Sequence, residues 1–306
     1  MGIKIGIIGS EGFIGNELTK RLNLNKEYNI YCFGKEVKPR YNHSNYHKID
    51  LNDIQKNKLI FESFDLIYYL ATASIPASSY EEPLIDVNLN LAPFLNFLEA
   101  ISFTNVKKII FTSSGGTIYG PSVKLINEQS LKTPTSPHGI IKLTMEHFLE
   151  YNLKKSGINY SIFRISNIYG ENQDISKGLG LINTILEKSI LNKQIEIFGD
   201  GTSKRNYIYN KDVSKALSMV ANQDFKKSEI YNLASSESYS INEILEIIQD
   251  IIAGPLKTKY ISSRKSDLKS IMIDNSKFRK TYPKFKFTEL SEGINHTYKH
   301  IKENNS

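Results

Sequence analysis

The chain has a single cysteine in 306 residues, Cys32. One thiol cannot close an internal disulfide and has no partner thiols for a zinc site, so a reducing, cytoplasmic setting is expected and no metal is. No run approaches the ~18 consecutive apolar residues of a spanning helix, which argues against a membrane partner. The sequence opens directly on an apolar pattern, Ile3 to Ile8, without a charged leader, and Gly6 stands where a myristoylation signal needs Ser or Thr. Neither a cleaved nor a lipidated leader is expected. An Arg-rich stripe, a zinc finger and a single-strand reader motif are also missing, so nucleic acid is not an expected partner. The excess of 39 Lys and Arg over 32 Asp and Glu is spread along the chain. That distribution suits a lysine-rich solvated surface, and it also suits a small phosphorylated ligand.

What is present is an alternation. Short apolar runs at 3–8, 29–33, 66–70, 108–112, 160–165, 195–198 and 230–233 are separated by amphipathic stretches such as 14–24, 83–101 and 136–155. Gly157 stands where the last of these needs a C-cap. Strand, helix, strand repeated in this way predicts an α/β fold, a doubly wound parallel sheet covered on both faces. After about residue 170 the pattern loosens, with helices expected near 179–191, 240–252 and 292–302. Residues 1–170 therefore read as a dinucleotide-binding domain. Residues 171–306 read mainly as a smaller substrate-binding lobe, partly interleaved because late strands return to the first sheet.

Gly9, Gly12 and Gly15, with Phe13 and Ile14 between them, fall between the first strand and the first helix. Glycines there permit a tight turn and close backbone approach, and amides at a helix N-terminus can hold a pyrophosphate, as in Rossmann domains. An acidic residue ending the second strand would favour NAD by accepting the ribose hydroxyls and repelling a 2′-phosphate. Here that strand ends Phe33-Gly34-Lys35, with Arg40 beyond, so NADP is permitted alongside NAD. Asp50 and Leu51 follow a third apolar run and are placed to contact the adenine.

With these motifs the chain resembles the extended short-chain dehydrogenase/reductase family, particularly its nucleotide-sugar epimerases and dehydratases. The resemblance covers almost the whole length. It runs through the glycine motif, Leu70 and Ala71 after a strand, Asn88, the segments 111–120, 136–142, 164–170 and 199–208, and Arg264 with Asp267. In such enzymes a Tyr moves the proton at a sugar hydroxyl, and a Lys four residues later holds the nicotinamide ribose and lowers the Tyr pKa. Lys142 matches the Lys; the Tyr position is His138. The usual hydroxyl-bearing position is Gly115, leaving Ser114 and Thr117 to help hold the reacting oxygen. Three readings of His138 stay open: a working acid/base with an ordinary pKa of about 6.5, a site that binds but turns over slowly, or a proton carried by Tyr119 or water instead.

The resemblance further implies that Asn167, Arg205 and Arg264 contact a nucleotide-diphosphate sugar, the arginines through its pyrophosphate. The implied activity is NAD(P)-dependent 4-epimerisation of a UDP- or dTDP-linked hexose. The alternatives are NADPH-dependent reduction of a nucleotide-linked 4-keto-6-deoxyhexose and a cofactor-binding regulator without activity. A dehydratase is disfavoured because Gly115, Gly116 and Thr117 replace the acid pair those enzymes use. A homodimer paired through the helices at 83–101 and 136–155 is implied as well.

Overall fold

Strands buried on both faces are apolar at nearly every position, and the run at 66–70 meets that demand without a charged residue. In a computed structural model describing residues 2–73, 79–80, 82–122, 124–176, 180–221, 225–262 and 270–304, twelve strands are formed. In chain order they are β1 Ile3–Ile8, β2 Tyr28–Gly34, β3 Tyr46–Lys48, β4 Leu66–Tyr69, β5 Lys108–Ser114, β6 Asn159–Ile165, β7 Asn167–Tyr169, β8 Ile195–Phe198, β9 Lys204–Tyr209, β10 Glu229–Leu233, β11 Ser238–Ser240 and β12 Thr258–Ile261. Seven of them make one parallel sheet in the order β10-β6-β5-β4-β1-β2-β3. Alternate side chains feed two cores. Ile5, Ile7, Leu66, Tyr68, Ile110 and Phe163 pack on one face with the helix Phe13–Leu22. Ile8, Ile67, Tyr69, Ile109, Phe111 and Ile162 pack on the other with Phe94, Phe97, Met145 and Leu149.

The expected return of a late strand is realised by β10, which pairs with β6. The remaining strands form a sheet β11-β9-β7 and a pair β12-β8. Tyr169, Ile182, Ile185, Leu186, Ile197, Tyr209, Ile244, Ile248 and Ile294 make a further core beneath them. The helix Asn210–Ala221 packs instead against Phe13–Leu22 of the large sheet. We propose a division near residue 170 as a boundary of function, since this helix and β10 both cross it.

Two helices decide where the chemistry sits. Pro137–Ser156 starts where Ser136 accepts a hydrogen bond from the Gly139 amide at 3.1 Å, with Pro137 in the first turn where its missing N–H costs nothing. It stops at Gly157, whose φ of 74° is the left-handed C-cap expected of it. The other is broken into Pro83–Asp86, a π turn Val87–Leu91 and Ala92–Ile101. Pro93 cannot donate to the preceding turn and its ring crowds that turn's carbonyl, which accounts for the widening just before it. By length and composition Pro83–Ile101 could cross a membrane. Phe94, Phe97, Leu98 and Ile101 are instead fully buried against the sheet, the position of a core helix.

The long helix is locked to the sheet by a buried ion pair. From β6, Arg164 grips Glu146 through Nε at 3.1 Å and Nη2 at 2.7 Å, both side chains being almost wholly buried. Its Nη1 donates to the Tyr119 hydroxyl at 2.9 Å and to the Glu128 carbonyl at 3.1 Å. Tyr119 in turn donates to Asn232 of β10 at 2.6 Å. Removing one member strands a buried charge. Glu146→Ala should therefore cost about 3 to 5 kcal/mol of stability, read from urea unfolding; a loss below about 1 kcal/mol would mean that Arg164 is rehydrated without penalty.

Candidate active site

The order of the large sheet reverses at β1, whose neighbours β2 and β4 carry the chain in opposite directions. Crevices for nucleotides form outside the carboxyl ends of strands at such a switch. There Gly9 has a φ of 89°, and a Cβ on it would lie 2.8 Å from the Ala71 amide nitrogen. A Cβ on Gly15 would lie 2.2 Å from the Gly9 carbonyl oxygen, so strand, turn and helix touch through backbone alone. Gly12 is the N-cap of Phe13–Leu22 and brings no capping side chain, and no acid occupies the first turn. The amides at Phe13 and Ile14 thus suit a pyrophosphate. Leu70 donates its amide to the Ile8 carbonyl at 2.9 Å, which sets Leu70 and Ala71 beside the crevice. Leu51 packs against the core under β2, while Asp50 is exposed and caps the Asn52 amide at 2.9 Å.

Across the crevice stands the long helix. His138, Lys142 and Glu146 lie four residues apart, on one stripe, and all three are buried. The Lys142 ammonium donates to the Thr112 carbonyl at the end of β5 at 3.2 Å and lies 5.1 Å from the Phe111 ring. Burial lowers its pKa to about 8 against the opposing pull of Asp86 and Glu146. It is still mainly charged at neutral pH. His138 Nδ1 is 3.7 Å from Oδ1 of Asp86, a carboxylate with no solvent exposure. Asp86 accepts from Asn90 Nδ2 at 2.8 Å, and Asn90 Oδ1 accepts the Ala73 amide at 2.7 Å.

The residue that leads into the π turn therefore presents a carboxylate to the imidazole. Burial, then the charge of Lys142, outweigh Asp86 and push the His138 pKa down to about 4. The sequence expectation of an ionisation near neutrality is corrected accordingly: the ring is neutral at pH 7.

Hydroxyls gather beside this pair. Ser114 is the N-cap of the short helix Gly115–Ile118 and uses its backbone alone there, with no side-chain cap. That short helix packs against Pro137–Ser156, so closely that a Cβ on Gly139 would lie 2.4 Å from the Thr117 carbonyl oxygen. Thr117 Oγ1, Ser113 Oγ and Ser166 Oγ are buried without a hydrogen-bond partner among the described residues. Buried hydroxyls normally find one, so these are fit to meet a polar ligand. At Gly115 a Cβ would meet Ile273 Cδ1 at 2.8 Å, a side-chain end able to give way, and the Arg164 carbonyl oxygen at 3.1 Å, so the space is tight.

Several expectations change. Asn88 is exposed, and it is Asn90 that reaches the site. Tyr119 is held between Arg164 and Asn232, and burial pushes its pKa up to about 12, which disfavours it as the proton carrier. An acid does stand at the tip of the second strand: Glu11 reaches it from the glycine loop, where a Cβ on Gly34 would lie 3.2 Å from Glu11 Cγ. Lys35 is solvent-exposed and sits 3.9 Å from Glu36. Asn167, on β7, donates to the Asn206 carbonyl at 3.1 Å, and Arg205, on β9, donates to the Lys204 carbonyl at 2.8 Å. Arg264 and Asp267 lie outside the described residues. Nothing local in the sequence signals Asp86, because only the packing of two helices brings it to His138.

A switch-point glycine crevice facing a buried, lysine-bearing helix defines a dinucleotide-binding α/β protein of the short-chain dehydrogenase type. Residues 5–234 match the family described as the NAD dependent epimerase/dehydratase family, and the chain belongs to it. It is 30% identical over 318 residues to a UDP-glucuronate 4-epimerase of Thermodesulfobacterium geofontis, with 97% of this chain and 96% of the relative covered. It is also 30% identical over 254 residues to a dTDP-4-dehydro-6-deoxyglucose reductase of Escherichia coli, covering 79% and 80%. The solved UDP-glucose 4-epimerase of Thermotoga maritima with UDP-glucose superposes with a TM-score of 0.90 at 26% identity, covering 99% of this chain and 100% of that one.

The electrostatics of His138 can be read without any assay of activity. Its folded-state pKa of about 4 lies below the ordinary 6.5, so the unfolded chain takes up the proton first. Stability linked to this group is full above about pH 6.5 and falls as the pH drops from there toward 4. In spectra of 13C-labelled histidine, the signal lost in His138→Gln should stay constant from about pH 5.5 to 8. A midpoint above about 6 would mean that Asp86 outweighs burial and Lys142.

Proposed function

We propose that this protein is an NAD-dependent 4-epimerase acting on a UDP-linked hexose. The observation that carries the reading is the stripe of His138 and Lys142 facing the glycine crevice, with a buried acid behind the imidazole. Family membership supports NAD, and the names of the relatives support the UDP-sugar. In this reading Gly9, Gly12, Gly15, Phe13 and Ile14 hold the pyrophosphate of the dinucleotide. Lys142 orients its nicotinamide ribose, Leu70 and Ala71 line its path, and Asp50 with Leu51 flank its adenine. Bound there, it contributes reversible hydride acceptance at the sugar C4.

The residues of this chain manage the proton. With Nδ1 turned to Asp86, Nε2 of neutral His138 accepts the O4 proton as C4 becomes a carbonyl, and returns it to O4 after the keto sugar has turned its other face. Asp86, 3.7 Å from Nδ1, steadies the imidazolium by its charge while the proton is held. Lys142 disfavours that cation, which keeps the base ready for each new sugar. Thr117, with Ser114 and Ser113, hydrogen-bonds the reacting oxygen. Asn167 and Arg205 meet the nucleotide-diphosphate part, and Arg264 is assigned there from the family resemblance alone.

One-way reduction of a nucleotide-linked 4-keto-6-deoxyhexose is the second reading, favoured by the 30% identity to the reductase. The lone, buried Cys32 agrees with a reducing cytoplasm. We also propose a homodimer. The outer face of the long helix leaves Ile140, Phe148 and Tyr151 exposed at helical spacing, beside exposed Leu84 and Leu89 of its neighbour.

Purified protein given UDP-glucose or UDP-glucuronate should form the 4-epimer with no added reductant, as read by proton NMR. Product formed only from a 4-keto sugar with stoichiometric NADPH would favour the reductase. His138→Ala should lower turnover by about 100- to 10,000-fold while dinucleotide binding persists; turnover within about threefold of the parent would take the proton away from His138. Light scattering should give twice the chain mass, and Phe148→Glu with Tyr151→Glu should give the monomer. A monomeric parent would remove the dimer.

A further inference from the structure

The tip of β2 is where a dinucleotide-binding sheet meets the adenosine ribose, and here the strand ends on Gly34, which has no side chain to offer. The space is filled from elsewhere. Glu11 lies inside the glycine loop, between Ser10 and Gly12, and runs across to Gly34, its Cγ 3.2 Å from where a Cβ would stand. Its carboxylate is fixed on arrival. Oε2 accepts the backbone amides of Arg40 and Tyr41, the latter at 3.2 Å, and Oε1 lies 2.9 Å from His43 Nε2. The Glu11 side chain is 18% exposed and that of His43 4%; Oε1 is shut from solvent against His43, which leaves Oε2 as the oxygen turned to the crevice edge. After burial, Glu11 is the next influence raising the pKa of Tyr46 on the neighbouring strand β3.

The basic residues near this tip do not oppose it. Lys35 projects to solvent with its side chain 89% exposed, and Arg40 engages Glu11 through its backbone while its guanidinium carbon lies 5.7 Å from the Tyr41 ring centroid. A fixed carboxylate at this place accepts hydrogen bonds from ribose hydroxyls and repels a phosphate on the same ribose. We propose that Glu11, reaching from the glycine loop to the bare end of β2, is the residue that selects NAD and rejects NADP. This rests on the reading of the glycine crevice as a dinucleotide site.

Calorimetric titration with NAD and with NADP, on protein stripped of retained nucleotide, tests it through binding alone. The parent should bind NAD at least about 10-fold more tightly than NADP, and Glu11→Gln should shrink that ratio by about 10-fold or more. Glutamine keeps an oxygen for the two backbone amides, so the loop stays clasped while the charge is lost. His43→Asn loosens the clasp and keeps the charge, and it should leave the ratio within about threefold. A parent that binds both nucleotides equally, or an unchanged ratio in Glu11→Gln, overturns the role of Glu11 and leaves the dinucleotide site standing. A ratio that collapses in His43→Asn as far as in Glu11→Gln overturns it in favour of loop shape. A parent that binds neither overturns the site and the proposal together.

Discussion

The contact between Arg164 and Glu146 ties together more of this molecule than any other. Two charges in an interior contribute little net stability, because desolvation offsets most of their attraction. What they contribute here is register. Glu146 stands two helical turns from His138 and one from Lys142, so a long helix free to slide on the sheet would move both side chains together. Arg164 prevents this from β6 through a forked grip, and its remaining hydrogen bonds fix Tyr119 and the carbonyl of Glu128. A planar guanidinium can serve several elements at once because its donors point in fixed directions.

Against that rigid frame, the exchange of a phenol for an imidazole reads as one half of a pair of changes. An isolated imidazole at this depth, beside a lysine, would be a weak acceptor with an unsupported cation. In the proposed mechanism Asp86 supplies that support, from the residue just before the turn that widens ahead of Pro93. In that proposal the chemistry leans on a proline that touches no reacting atom.

The sequence displays the parts of the fold that are long or periodic. β1 and the glycines announce themselves because a buried parallel strand must be apolar throughout and the turn after it has few alternatives to glycine. β7 and β11 are three residues long and show no period, and β9 begins with Lys204 and Arg205, which look like ligand-binding residues of a loop. The helix Asn210–Ala221 carries its apolar stripe openly at Val213, Ala216, Leu217 and Val220, yet its short turns of Asn, Lys and Asp hide where it begins. At the site, Lys142 and His138 were visible as a spacing on one helix. Asp86 and Glu11 were not, because each acts on a residue far away in the chain, and only the fold makes them neighbours.

The reactive helix is made in the first half of the chain, but its surroundings are finished by the last third. Tyr119 rests on Asn232, and Gly115 is covered by Ile273. During synthesis, six strands of the large sheet leave the ribosome well before those two residues do. A nascent chain of that length has the glycine turn but not the helix Asn210–Ala221 that packs on Phe13–Leu22 and bonds the Phe13 carbonyl through Asn210 at 2.8 Å, nor the late cover over Gly115. Both sides of the crevice are therefore closed by the same late part of the chain, and a chain cut short before its final hundred residues would lose the backing of the glycine turn together with the cover over Gly115.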